Sequence, residues 1–378
     1  MNHNQIEPVS KISHFQLAAL LMVSAIFTQI TALPELSEHS MSKFITLSLS
    51  GVFLLALYTP LLIFTSRNSG NTLSYCNGST PSKVIRWILG GIILLRLVYA
   101  VVLSLMQLKF AITKTVMPYL SLSFFMLLTL VTVFYGMSKG IQASARVAPI
   151  SLFFLIIAIV AISFMMYDRI DVLRIYSPIW DNGMLGGGFK LALRNDELFL
   201  FAALSGFVNS KSPKTSKTSQ TSKPNSYKAV LYYLPIVLVS GLWLNFLFNA
   251  VLGRFMPQIL YPMYTIASFA TFNVIERMDG VLVTAAIIAG LLKIILIFVC
   301  MRSIIACLLP PAKFKSAKTT VYVIGLVVFA ATFFIVEDEP LLIADWWKYF
   351  FMVTMAATAI ILPITGFIGR SKRKRETE

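Results

Sequence analysis

The chain has 378 residues, of which 57% are hydrophobic and 13% charged, and its mean hydropathy is +0.79. A water-soluble domain of that size needs a far more polar surface, so the composition places the chain in a bilayer and leaves no large soluble domain over. The formal charge of +16 does not point to nucleic acid, because the basic residues fall in short loops between apolar runs.

In chain order, a polar stretch from Met1 to His14 precedes an apolar run too long for the core of a cleaved signal peptide, so that run stays as the first helix. Continuous apolarity then predicts ten spans, at about 15–33, 44–65, 87–112, 118–136, 147–167, 188–209, 229–252, 279–306, 319–336 and 346–368. The stretch Ile259–Val274 is short and carries Pro262, which predicts a re-entrant or interfacial helix rather than a crossing. The polar segment 209–228 is low in complexity and reads as a flexible cytoplasmic linker, and the tail 369–378 (GRSKRKRETE from Gly369) as a basic cytoplasmic anchor for anionic headgroups.

Loop charge supports this count. With the N-terminus inside, the cytoplasmic segments collect Arg67, Lys83, Arg86, Lys139, Arg146, the lysines of 211–228, Arg302, Lys313, Lys315, Lys318 and the tail. The opposite loops are mixed or acidic, with Glu35, Glu38, Asp168, Asp171, Asp181, Glu337, Asp338 and Glu339. The alternation places both termini in the cytoplasm.

Catalytic constellations are not evident on the predicted helices. The histidines, His3, His14 and His39, all lie near the N-terminus, and no HExxH, Walker or paired-carboxylate motif falls on the helices. Cys76, Cys300 and Cys307 are too scattered for a disulfide framework or a zinc site. Neither an enzyme nor a cofactor is expected.

Ionisable residues inside the spans are the stronger clue, since each is costly in lipid unless it faces a partner or a cavity. The densest group is Arg194-Asn195-Asp196-Glu197 in the sixth span. It reads either as an interfacial helix end or as a break in a helix near mid-membrane, with Arg194 and Glu197 three residues apart and able to neutralise one another. Gly186, Gly187 and Gly188 just before it permit close approach or a bend. In the first span Ser24, Thr28 and Thr31 share a helical face, either packing against neighbours or re-satisfying backbone groups at a distortion. Arg96 and Lys293 read as snorkelling to the interface, with a proton or ion relay the alternative for Lys293, while Tyr99 is placed to reach a central cavity.

Four passages carry a family likeness: KISHFQLAALLMVSAIFTQITALP, YGMSKGIQASARVAPISLFF, YSPIWDNGMLGGGFKLALRNDELFLFAAL and YPMYTIASFATFNVIERMDGVLVTAA. In their order the chain resembles the B subunit of spore nutrient-germinant receptors, a branch of the amino acid–polyamine–organocation transporter superfamily. The resemblance implies an all-α membrane protein of two inverted five-helix repeats, about 15–167 and 188–368, with helices one and six broken around a central ligand site. It also implies a small nutrient, an amino acid, held by Ser24, Thr28, Tyr99, Asn195, Glu197 and Thr284. Partners implied are an A subunit and a C lipoprotein subunit in the spore inner membrane. The rival reading is an amino-acid permease, proton-coupled or facilitative. Two departures bear on active transport more than on fold: Val23-Ser24-Ala25-Ile26 has no glycine where transporters of that superfamily interrupt helix one, and the polar linker before helix seven is long.

Overall fold

The fold is taken from a computed structural model that describes residues 12–31, 40–67, 80–115, 122–172, 184–208, 226–259, 261–270, 278–308, 314–335 and 347–364. Its helices are α1 (His14–Thr31), α2 (Ser40–Arg67), α3 (Thr80–Thr115), α4 (Leu122–Lys139), α5 (Ile141–Met165), α6 (Met184–Leu193), α7 (Glu197–Leu204), α8 (Ser226–Leu252), α9 (Pro262–Phe269), α10 (Asp279–Leu308), α11 (Phe314–Ile335) and α12 (Trp347–Ala356). α12 runs on as a π-helical turn, Ala357–Ile361. Each of the ten predicted spans coincides with a helix, the sixth split into α6 and α7.

Among the described residues six helical segments are long and apolar enough to cross a bilayer: His14–Thr31, Ile45–Ser66, Trp87–Lys109, Ile141–Met165, Ser226–Leu252 and Asp279–Leu308. Shorter apolar segments occur at Phe124–Lys139, Thr319–Ala330 and Phe350–Ile364. α9, with Pro262 at its first turn, is eight residues long and so about 12 Å, too short to cross, as its sequence predicts. The basic tail and most of the predicted linker lie outside the described residues, although Ser226–Lys228 already belong to α8.

Burial follows the logic of a lipid solvent. Large apolar side chains such as Phe153, Phe154, Val160 and Phe164 of α5 and Val323 and Val327 of α11 are exposed, whereas Arg96, Asp196, Glu197 and Lys293 are buried. Charges inside and phenyl rings outside invert the rule for water-soluble domains. α1 and α10 form the centre, each with 72% of its span buried, against 33% for α2. Around them α1 packs on α5, α8 and α10, α10 on α3, α4 and α5, and α2 on α6 and α8.

Glycines let these axes come close. A Cβ on Gly290 of α10 falls 2.8 Å from the Phe27 ring of α1 and 3.1 Å from Leu108 of α3, and one on Gly188 of α6 falls 3.0 Å from the Thr46 carbonyl of α2. Close approach is therefore the use made of Gly188, and the predicted bend does not occur at Gly186–Gly188, which lie within α6. At Gly140, by contrast, the backbone takes φ 78° and a single residue joins α4 to α5.

One expectation is corrected here. Helix one is not broken: α1 is continuous from His14 to Thr31. It holds no glycine or proline, and the hydroxyls of Thr28 and Thr31 donate to the carbonyls of Ser24 (3.0 Å) and Phe27 (2.7 Å), four residues back, a reach that helical backbone geometry provides.

The closeness at Gly290 sets a packing test. Gly290→Leu is expected to lower the thermal unfolding midpoint of the purified chain in detergent, by an overpacking cost of about 1–3 kcal/mol, whereas Gly91→Leu, where an added Cβ meets nothing within 4 Å, leaves it unchanged.

Candidate functional site

The break in helix six organises the interior. α6 tightens as it ends, with the N–H groups of Arg194 and Asn195 donating three residues back to Leu191 (3.2 Å) and Ala192 (3.3 Å). The chain then restarts as α7, and Asn195 Oδ1 accepts the N–H of Leu198 at 3.2 Å, the geometry of a helix N-cap. Asn195 is also fastened from two sides: Tyr58 of α2 donates its hydroxyl to Oδ1 (3.1 Å), and Nδ2 donates to the Tyr233 hydroxyl of α8 (2.9 Å). A polar residue at the discontinuity thus closes backbone groups that lipid leaves without partners.

Asp196 and Glu197, both buried, stand at the amino end of α7, where the helix dipole favours negative charge. Their partners come from distant helices. Arg96 of α3 places Nη2 2.7 Å from Asp196 Oδ1 and within 3.5 Å of the Leu193 carbonyl, one of the last in α6. Lys293 of α10 lies 3.7 Å from Asp196 Oδ2 and 3.9 Å from Glu197 Oε1. Two cations and two carboxylates therefore meet, and their formal charges cancel.

Helix α1 completes the cluster with hydroxyls. Lys293 Nζ donates to Thr28 Oγ1 (2.5 Å), Thr28 donates to the Ser24 carbonyl (3.0 Å), and Ser24 Oγ donates to Glu197 Oε1 (2.8 Å). One face of α1 thus offers a hydroxyl to each charge, Thr28 to Lys293 and Ser24 to Glu197. Aromatic rings wall the opposite side, with the Arg96 guanidinium carbon 3.9 Å from the centre of Phe351, 5.4 Å from Phe199 and 5.6 Å from Tyr99.

The depth of the cluster follows from helix lengths. Ser24 is the eleventh residue of α1, Arg96 the seventeenth of 36 in α3, and Lys293 the fifteenth of 30 in α10. Arg96 and Lys293 lie close to the midpoints of their helices, about 20–30 Å from either end, and Ser24 lies about 10–15 Å from the ends of the shorter α1. A second constraint fixes α7 along α1: Ile12 N–H donates to the Phe207 carbonyl at 3.0 Å, so α7 runs antiparallel to the first half of α1 from Ser24–Glu197 to Ile12–Val208.

Of the residues singled out from sequence, Ser24, Thr28, Asn195 and Glu197 come together, and Tyr99 borders the cluster through Arg96. Thr284 does not: it is exposed on α10, its hydroxyl turned back to the Gly280 carbonyl at 2.8 Å. Nine residues before Lys293 on a helix, it stands about 13 Å along the axis from the charges. The expected Arg194–Glu197 pairing is also corrected. Arg194 is exposed, and Glu197 is faced by Lys293 instead. Snorkelling likewise fails for Arg96 and Lys293, which are 1% and 2% exposed. Their mid-helix positions carry the signal that sequence reading passed over, because a side chain that deep is too far from either interface to snorkel. Among the described residues no group of three or more His, Cys, Asp or Glu is placed to hold a metal ion.

A family model described as spore germination protein, the spore permease family, matches residues 11–340. The chain belongs to that family, and with its apolar helices it is a multi-pass membrane protein. No curated protein sequence matches it.

Because the four charges compensate each other, removing one alone exposes the rest. Asp196→Asn is expected to destabilise the chain by about 3–5 kcal/mol, and adding Arg96→Met to it to recover much of that loss. Unfolding midpoints of the two single variants and the double variant in detergent check the coupling; strictly additive losses contradict it.

Proposed function

We propose that this member of the spore germination protein family is the membrane subunit of a nutrient-germinant receptor, and that it senses a small nutrient, an amino acid, at the break in helix six. The observation that carries this reading is the buried, charge-balanced cluster of Arg96, Asp196, Glu197 and Lys293, bound to α1 through Ser24 and Thr28. A packing scaffold has no need of four buried charges, which apolar residues of similar volume replace at no loss of stability. A ligand site does, because a small polar molecule entering lipid depth needs groups of both signs to replace its water.

In this reading Ser24, Thr28, Tyr99, Asn195 and Glu197 belong to the pocket or its frame, and Asn195 acts by holding α7 in place. A nutrient that binds one arrangement of α6, α7 and α1 better than another shifts the population between them, and a partner subunit reads that shift. The partners are the A and C subunits of the receptor, the membrane is the spore inner membrane, and both termini face the cytoplasm.

Inverted five-helix repeats are the architecture we favour, and the neighbour relations support them. Matching α1 with α6–α7, α2 with α8, α3 with α10, α4 with α11 and α5 with α12, the contact α1–α8 has its counterpart in α6–α2. Likewise α4–α10 answers to α11–α3, and α5–α10 to α12–α3. Arg96 and Lys293 then lie on counterpart helices, one cation from each half, on either side of the carboxylates.

A permease is the second reading, supported by the same cluster, since Lys293 Nζ and Glu197 Oε1 lie 3.9 Å apart as a buried titratable pair, either of which is a candidate to hold a coupled proton. In both readings the ammonium of Lys293 already occupies the space between α1 and the carboxylates. Nutrient response is therefore expected to be equal in sodium, potassium and choline buffers.

The decisive experiment pairs two measurements. In spores that carry Glu197→Gln at normal membrane abundance, amino-acid-triggered loss of refractility is expected to slow by about tenfold or more, the cost of one charge-assisted contact. An unchanged response points to a scaffold. Purified chain in proteoliposomes is expected to show no saturable accumulation of radiolabelled amino acids; robust uptake transfers the conclusion to the permease.

A further inference from the structure

Arg96 has more hydrogen-bonding capacity than the protein uses. A guanidinium carries five N–H donors on three nitrogens, and all of them need acceptors once water is removed. Nη2 has both of its recorded partners, Asp196 Oδ1 at 2.7 Å and the Leu193 carbonyl at 3.5 Å. Nε and Nη1 are buried and have no hydrogen-bond partner among the described residues, in a side chain only 1% exposed. Leaving charged donors unmatched at mid-helix depth is among the costlier defects a fold can carry, and a native structure keeps one for a reason.

The surroundings say what kind of group completes it. Phe351 lies under the guanidinium carbon at 3.9 Å, with Phe199 and Tyr99 beyond it at 5.4 and 5.6 Å. These rings are flat and apolar, and they cover the guanidinium without accepting its N–H groups from the edge. An incoming acceptor therefore meets donors next to an aromatic wall. Charge decides between acceptors. Arg96, Lys293, Asp196 and Glu197 already sum to zero, so a simple anion adds an uncompensated charge at lipid depth, and a simple cation does the same with opposite sign. A zwitterion does not. Its negative end finds Arg96, and its positive end has Asp196, 2.7 Å from that guanidinium, with Glu197 the next residue along the chain.

We propose that Arg96 is the carboxylate-recognising residue of this protein, that Nε and Nη1 receive the α-carboxylate of a zwitterionic amino acid, and that Asp196 and Glu197 face its ammonium. The assignment rests on the reading of the helix-six break as a nutrient site and adds to it the group that selects the ligand class. It gives the carboxylate to a side chain on α3, so that free backbone ends at the break, closed by Asn195 and by the tightened end of α6, are not required for it.

The test uses the full chain in lipid nanodiscs, with each of the twenty L-amino acids and its α-carboxamide as probes, read as ligand-induced shifts of the unfolding midpoint and converted to dissociation constants by titration. At least one amino acid is expected to stabilise the wild-type chain, and its carboxamide, which keeps the ammonium but not the negative charge, to bind about thirtyfold or more weakly. Arg96→Lys keeps the charge and the salt bridge to Asp196 while losing the extra donors, so it is expected to fold normally, to weaken the amino acid by a similar factor, and to erase the difference between acid and carboxamide. Equal binding of acid and carboxamide to the wild type, or unchanged discrimination in Arg96→Lys, overturns the assignment and leaves the nutrient site standing. No stabilisation by any of the twenty acids overturns the amino-acid reading itself, and this assignment with it.

Discussion

A charge at the centre of a bilayer has no water to turn to, and this constraint organises the molecule. Arg96, Asp196, Glu197 and Lys293 are each prohibitively placed on their own. Together they cancel, each with a partner of opposite sign 2.7 to 3.9 Å away. Satisfying them requires α3, α7 and α10 to converge at their midpoints, and α1 to pass close enough to lend Ser24 and Thr28. Gly290 follows from the same demand, since α1 and α3 reach α10 only where a side chain is missing. The break in helix six is equally tied to it: the carboxylates sit where a helix begins and Arg96 near where one ends, so the two half-helix dipoles and the charges support each other.

Much of this was legible in the amino-acid sequence. Hydropathy located the long helices of the described residues, because in lipid apolarity needs no periodic pattern to be read. The RNDE run marked the discontinuity, and Ser24 and Thr28 were placed on the correct face of α1. What remained hidden was the pairing. Sequence proximity favoured Arg194 as the partner of Glu197, yet the true partner, Lys293, is nearly a hundred residues away, and no local rule brings α10 to that spot. The same blindness sent Arg96 and Lys293 to the interface on paper. A lone basic residue in an apolar run looks identical whether it snorkels or meets a carboxylate, and only its distance from the run's ends separates the two cases. Family habit misled in the other direction at α1, where the missing glycine in Val23–Ile26 was the better guide and the helix is intact.

The asymmetry between α1 and the α6–α7 pair has a functional reading of its own. If the two halves of the chain are repeats, only one of the counterpart helices has been interrupted, and the other supplies hydroxyls to the interruption. The cations divide differently, one to each half. A site assembled in this way needs both halves present to be neutral, and neither half alone buries a balanced set of charges.

The hydrogen bond from Ile12 to Phe207 extends this dependence to motion. It joins the chain just before α1 to the far end of α7, while Ser24 and Glu197 join the two at their other end. Two attachments about 18 Å apart leave the pair no freedom to slide or splay without breaking one of them. The first half of α1 and the whole of α7 consequently travel as a single lever. α6 is on the other side of the break, packed on α2, and the fulcrum between lever and frame is the Arg194–Asn195 turn.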